Sequence, residues 1–175
     1  MKWNVSHLLK SSIGTERQYC LDDDGWHIPE LVSGITGSAR LIRTDRGILV
    51  LAQGKSAVLC PCSRCLEESQ QPVSFDIAEE FFPTVDVQDG SRLEKDWDDQ
   101  AFTIDASHVL DLGKVVLQYA LLDVPMKPLC AQDCPGICAT CGAALRSGPC
   151  GCSAGQPDPR WTKLESLRLG LGSAS

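Results

Sequence analysis

Nine of the chain's ten cysteines fall in two clusters, and no other feature of its 175 residues limits so strongly what it can fold into. Cys60, Cys62 and Cys65 make the first cluster. Cys130, Cys134, Cys138, Cys141, Cys150 and Cys152 make the second, and Cys20 stands alone. The spacings run C-x-C, C-x2-C, C-x3-C, C-x3-C, C-x2-C and C-x-C. No basic start followed by a long apolar middle marks a secretory leader near Met1 to Leu9. The chain is therefore expected in the cytoplasm, where thiols stay reduced and grouped cysteines read as metal ligands rather than disulfides. A thioredoxin-like C-x2-C pair needs a βαβ setting, which the antiparallel reading of the strands argues against.

Tetrahedral zinc takes four donors, with sulfur about 2.3 Å from the ion. A C-x2-C turn folds two thiolates toward one point while nearby backbone N–H groups face the sulfurs. Cys138-Ala139-Thr140-Cys141-Gly142 has this knuckle form, and Cys150-Gly151-Cys152 supplies a second pair eight residues later. Together they make a compact four-cysteine site. Cys62-Ser63-Arg64-Cys65 is another knuckle at the end of a predicted strand, and Cys130 and Cys134 remain to complete it. That second site would clip a β-region to the C-terminal segment across 64 intervening residues. Two alternatives stay open: Cys60 shares a strand face with Cys62 and could replace it, and a single ion could draw on the six downstream cysteines alone. The expected cofactor is Zn2+, two ions or at least one. Cys20, in a predicted strand over Arg17 to Leu21, reads as a buried small hydrophobe.

From Leu31 to Phe82 short segments rich in aliphatic and β-branched residues alternate with turn sequences. Ile35 to Arg43, Ile48 to Ala52 and Lys55 to Cys62 are predicted strands, separated by Asp45-Arg46-Gly47 and Gln53-Gly54. Val73, Phe75, Ile77, Glu79 and Phe81 share one face of a fourth strand, apolar except at Glu79. Residues 83–100 read as an exposed acidic loop. Leu112, Val115, Val116, Tyr119 and Leu122 then form the stripe of an amphipathic helix, with Ser107 or Asp111 to cap it and Pro125 to end it. Asp158-Pro159 opens a second, shorter helix bearing Trp161, Leu164 and Leu167. The tail from Gly170 to Ser175 reads as disordered. The expected fold class is α+β: an antiparallel meander or partly closed barrel, one amphipathic helix and a zinc-knuckle C-terminal cap. Residues 1–128 would form the α+β domain, and 129–169 a cysteine-rich zinc-binding segment packed on it.

The formal charge of −7 excludes a uniformly basic nucleic-acid coat. It is also local. Between Asp76 and Asp105 ten acids face only Arg92 and Lys95, a net −8, so the remainder carries +1. The longest apolar run, Val115 to Met126, is interrupted by Gln118 and Asp123 and is too short to span a bilayer. The chain has no nucleophile elbow, phosphate loop or dinucleotide fingerprint. A closed four-cysteine zinc site also leaves no open position for a substrate water, so no enzyme is expected.

The runs Cys62-Ser63-Arg64-Cys65-Leu66-Glu67, Val124-Pro125-Met126-Lys127-Pro128-Leu129-Cys130 and Asp133-Cys134-Pro135-Gly136-Ile137-Cys138, with Cys141-Gly142 and Asp158-Pro159-Arg160-Trp161, together resemble the YceD family. Its members are known as large ribosomal RNA subunit accumulation proteins. The resemblance implies a cytoplasmic, bacterial-type protein supporting accumulation or processing of large-subunit ribosomal RNA and ribosome assembly. Its partner would be that RNA or a pre-ribosomal particle, met directly or through a ribosomal protein. Arg64, Lys127, Arg146, Arg160, Trp161 and Lys163, around the cysteine-rich end, are the candidate contacts, since knuckles serve in single-strand RNA recognition. Two rival functions are a thiol- or zinc-based redox-responsive regulator and a nuclease using Asp96, Asp98 and Asp99 with a divalent ion.

Overall fold

The computed structural model describes residues 1–22, 31–94, 98, 101–152 and 160. In chain order the elements are β1 (Lys2–Asn4), one helical turn α1 (Ser6–Leu9), β2 (Glu16–Cys20), β3 (Thr36–Arg43), β4 (Ile48–Pro61), β5 (Glu68–Pro83), β6 (Phe102–Ile104), β7 (Val109–Asp111) and α2 (Gly113–Asp123). A 3-10 turn, Leu145–Ser147, follows among the distal cysteines. β2 to β5 form an antiparallel meander, and β6 adds to β5 in parallel. β1 and β7 pair as a separate antiparallel ribbon. The fold is thus α+β with an open sheet in the order β2-β3-β4-β5-β6, not a closed barrel.

One hairpin dominates. β4 and β5 pair continuously from Ile48↔Phe81 to Pro61↔Glu68, fourteen residues of register whose far end is the Cys62–Glu67 tip. Along β5, Gln71, Val73, Phe75 and Ile77 are buried and alternate with exposed Pro72, Ser74, Asp76 and Ala78, so one face is core and the other solvent. α2 lies against the hairpin and buries Val115, Val116 and Ala120, while α1 contributes Leu8 and Leu9 to the same core. Phe81 and Phe102 stack with centroids 5.4 Å apart where β6 joins. Asp111 Oδ1 accepts the Gly113 N–H at 3.0 Å at the start of α2. The chain turns extended at Val124, the residue before Pro125, where the α region is sterically disfavoured.

Several expectations are revised. Gln53-Gly54 is not a turn: it lies inside β4, opposite Ser38-Gly37 on β3, and Phe75 lies over Gly54. A Cβ on Gly54 would sit 2.5 Å from Phe75 Cζ, so glycine is there for close approach within a strand. β5 runs from Glu68, five residues before the predicted start. Leu122, expected on the apolar stripe, faces solvent, whereas Ala120, at the stripe's other edge, is buried. Cys20 is exposed, since β2 is an edge strand, and its thiol donates to Asp22 Oδ2 at 3.0 Å. The acidic loop is partly ordered: Val85 bridges to Arg92, and Asp86 Oδ1 accepts the Gln88 N–H at 2.6 Å. The second short helix, Asp96 and Asp99 lie outside the described residues, as does the tail from Gly170 to Ser175. Among the described residues, no helix is long and apolar enough to cross a membrane.

Candidate metal centres

The hairpin tip makes the first centre. The Cys62 N–H donates to Glu67 O at 2.9 Å, the Leu66 N–H to Cys62 O at 2.9 Å, and the Arg64 N–H to Cys62 Sγ at 3.4 Å. The distal loop repeats this pattern: Cys138 N–H to Ala143 O at 2.8 Å, Gly142 N–H to Cys138 O at 2.9 Å, and Thr140 N–H to Cys138 Sγ at 3.4 Å. Two stretches of unlike sequence are therefore one knuckle built twice. The residue after the second cysteine takes a positive φ in both, 73° at Gly142 and 63° at Leu66. Glycine adopts this at no steric cost, whereas leucine is strained there.

Each knuckle meets a second cysteine pair. Sγ atoms of Cys62, Cys65, Cys130 and Cys134 lie within 4.8 Å of one another, as do those of Cys138, Cys141, Cys150 and Cys152. Cys60, half-buried in β4, belongs to neither group. Cys62 and Cys134 sulfurs are 3.8 Å apart, and Cys65 and Cys130 sulfurs 3.7 Å. That is far beyond a disulfide, at roughly 2.05 Å. It matches the edge, about 3.8 Å, of a tetrahedron whose sulfurs sit about 2.3 Å from its centre, the zinc–thiolate distance. Both clusters could hold a metal ion.

The electrostatics fit a cation. Backbone N–H groups of Cys65, Cys130 and Arg64 aimed at the sulfur pull the Cys62 thiol down to about 6. Those of Cys141 and Thr140 do the same for Cys138, also to about 6. The last thiols resist: Cys130 is pushed up to about 12 by its contact with Cys134 and by burial, and Cys152 to about 11 by Cys141 and Cys150. Each cluster favours a first thiolate and opposes the accumulation of negative charge that a bound cation would neutralise.

Backbone and side-chain hydrogen bonds around the first centre hold its two halves together. Ser63 N–H donates to Pro128 O at 2.8 Å, and Gln71 Nε2 to Leu129 O at 3.0 Å. Arg64 Nη1 donates to Cys134 O at 3.0 Å and Gln132 O at 3.3 Å, so the knuckle's guanidinium closes the opposite loop. Gln71 shares the parity of Val73 and Phe75 on β5, and a polar residue at an inward position is itself a sequence signal for such a tie. Arg146 reaches Glu67 across the two centres at 3.9 Å. Lys127 and Arg160 are exposed. Trp161 and Lys163 lie outside the described residues.

The centres differ in burial. Cys62 is 0% exposed and Cys65 and Cys134 are 4% exposed, forming a small core with Leu129 and Cys130. In the distal cluster Cys141 and Cys152 are exposed and Cys138 and Cys150 half-buried.

Comparison with known proteins gives relatives but no structural precedent: no solved structure matches. An uncharacterised protein of Mycobacterium tuberculosis is 31% identical over 128 residues, covering 73% of this chain and 59% of the relative. One of Mycobacterium leprae is 26% identical over 129 residues, covering 73% and 56%. The chloroplastic large ribosomal RNA subunit accumulation protein YCED homolog 1 of Arabidopsis thaliana is 23% identical over 152 residues, covering 75% and 47%. The chain thus spans about half to three-fifths of the length of these relatives. The description "Large ribosomal RNA subunit accumulation protein YceD" matches residues 52–168, from the middle of β4 through both cysteine centres, and the chain belongs to the YceD family.

Proposed function

We propose that this chain is a non-enzymatic, zinc-binding protein that supports accumulation of large-subunit ribosomal RNA. It acts in the cytoplasm on that RNA or on a pre-ribosomal particle, directly or through a ribosomal protein. One observation carries the reading: the matched region, residues 52–168, contains both four-cysteine groups, and Cys62, Cys65, Cys130 and Cys134 bring the hairpin tip and residues 130–134 to one point. Four thiols at tetrahedral spacing suit zinc, and a filled four-sulfur shell leaves no position for a reacting water. The metal would be structural, with residues 129–169 a zinc-bound cap on 1–128. Lys127, Arg146 and Arg160, with Trp161 and Lys163, are the candidate partner contacts. Arg64 is committed to carbonyls of the 130–134 loop and contributes by shaping that end.

The test is co-sedimentation of the tagged protein in cell extract, with depletion of the chain alongside. The proposal expects it in fractions carrying immature large subunits, and a fall in large-subunit relative to small-subunit ribosomal RNA on depletion. An unchanged RNA ratio with the protein confined to the top of the gradient would contradict it. The exposed distal thiols favour a second reading, a redox-responsive zinc regulator. Its mark would be an RNA ratio that depends on the protein only under mild peroxide.

A further inference from the structure

The two centres share a knuckle but not a mode of support. The first is embedded. Three of its cysteines are buried, Leu129 packs on them, and hydrogen bonds from Ser63, Arg64 and Gln71 tie the tip to residues 128–134. If a metal left, those contacts would remain.

Among the described residues the distal segment has no such support. None of residues 137–152 is buried. Outside the knuckle turn, the contacts that hold it among the described residues are few. They are the Ile137↔Ala144 bridge, the Leu145 N–H on Gly136 O at 2.9 Å, the 3-10 turn's own bonds from Ser147 N–H to Ala144 O and Gly148 N–H to Leu145 O, and the exposed Arg146–Glu67 pair. An exposed ion pair contributes about 0–1 kcal/mol. That is far below the ordering cost of a sixteen-residue stretch, at roughly 1–2 kcal/mol per residue for the backbone alone. Among the described residues burial falls short of holding this segment in place, which leaves a metal as its main tie, and a metal held by exposed thiols is open to competing ligands.

Resting on the zinc reading above, we propose that the centres are functionally unequal. Cys62, Cys65, Cys130 and Cys134 form a permanent clamp. Cys138, Cys141, Cys150 and Cys152 form an exchangeable Zn2+ site whose occupancy switches residues 137–152 between ordered and open. Arg146 lies inside that segment and Arg160 beyond it, so zinc supply controls how the candidate contact surface is presented.

The experiment uses the wild-type full chain, purified under reducing conditions and challenged with excess EDTA. Metal release is followed with a chromogenic chelator, thiols are pulse-labelled with N-ethylmaleimide and mapped by mass spectrometry, and amide exchange is read before and after. The proposal expects two phases, the first at least tenfold faster. Labelling in that phase should fall on Cys138, Cys141, Cys150 and Cys152, while Cys62, Cys65, Cys130 and Cys134 stay protected. Amides of 137–152 should lose protection and those of the hairpin should not. Exposed Cys20 labels from the start as an internal control. Two ions leaving in one phase, or 137–152 staying protected after metal loss, would overturn this inference and leave the zinc reading standing. A chain carrying no metal before EDTA would overturn both.

Discussion

Leu66 is the residue whose conformation and identity disagree most. It holds φ 63° with 66% of its side chain exposed, so burial of the leucine does not offset the strain. A left-handed conformation costs an L-residue roughly 1–2 kcal/mol. Glycine's own entropy returns roughly 0.5–1 of that. Leu66→Gly should therefore stabilise the protein by about 0.5–1 kcal/mol in urea titration, and Gly142→Leu should weaken the distal knuckle by a similar amount, about 0.5–1 kcal/mol. Gln71 makes the opposite case. Truncation to alanine leaves the Leu129 carbonyl without its side-chain donor, and Gln71→Ala should lower stability by about 1–2 kcal/mol. It should also speed metal loss from the first centre without changing the distal one. Glu79 shows how a residue can look misplaced in sequence: the one charge on β5's inward face accepts the hydroxyl of Tyr119, on α2, at 2.5 Å. Tyr119→Phe should cost about 1 kcal/mol by the same titration.

At the scale of elements, the period-2 pattern of Val73 to Phe81 and the 3.6-period stripe from Leu112 were legible because each is set by burial of one face. What the sequence obscured follows from competition between local and long-range terms. Gln53-Gly54 has turn chemistry, yet it stays extended because β3 and β5 flank β4 on both sides and Phe75 lies over the glycine. Gly54→Ala should cost about 2 kcal/mol or more, since the added methyl meets both that ring and Thr36 O at 2.8 Å. Urea titration reads that cost directly, and an unchanged midpoint would contradict it. β1 and β7 pair across more than a hundred residues with three residues each, too short for either to carry a pattern. The knuckles were legible as spacing. Their shared hydrogen-bond pattern was not, because Leu66 does not look like the glycine it replaces.

For the whole molecule, charge and cysteine describe different regions. The acids gather between Asp76 and Asp105, while the cysteine-rich end is near neutral and joined to the sheet through the hairpin tip. The choice of Cys62 over Cys60 required coordinates: both lie near the tip, and only the first turns its sulfur toward Cys134. Cys62→Ser with Cys65→Ser should remove one metal and open the junction at 128–134 to limited proteolysis. Cys138→Ser with Cys141→Ser should remove one metal and leave that junction resistant. The central claim, two four-thiol zinc sites on one chain, is tested most directly by native mass spectrometry of the protein purified under reducing conditions. The account predicts two zinc ions per chain, with eight of ten thiols shielded from alkylation until the metals are removed. One ion or none, or a disulfide-linked chain without metal, would contradict it.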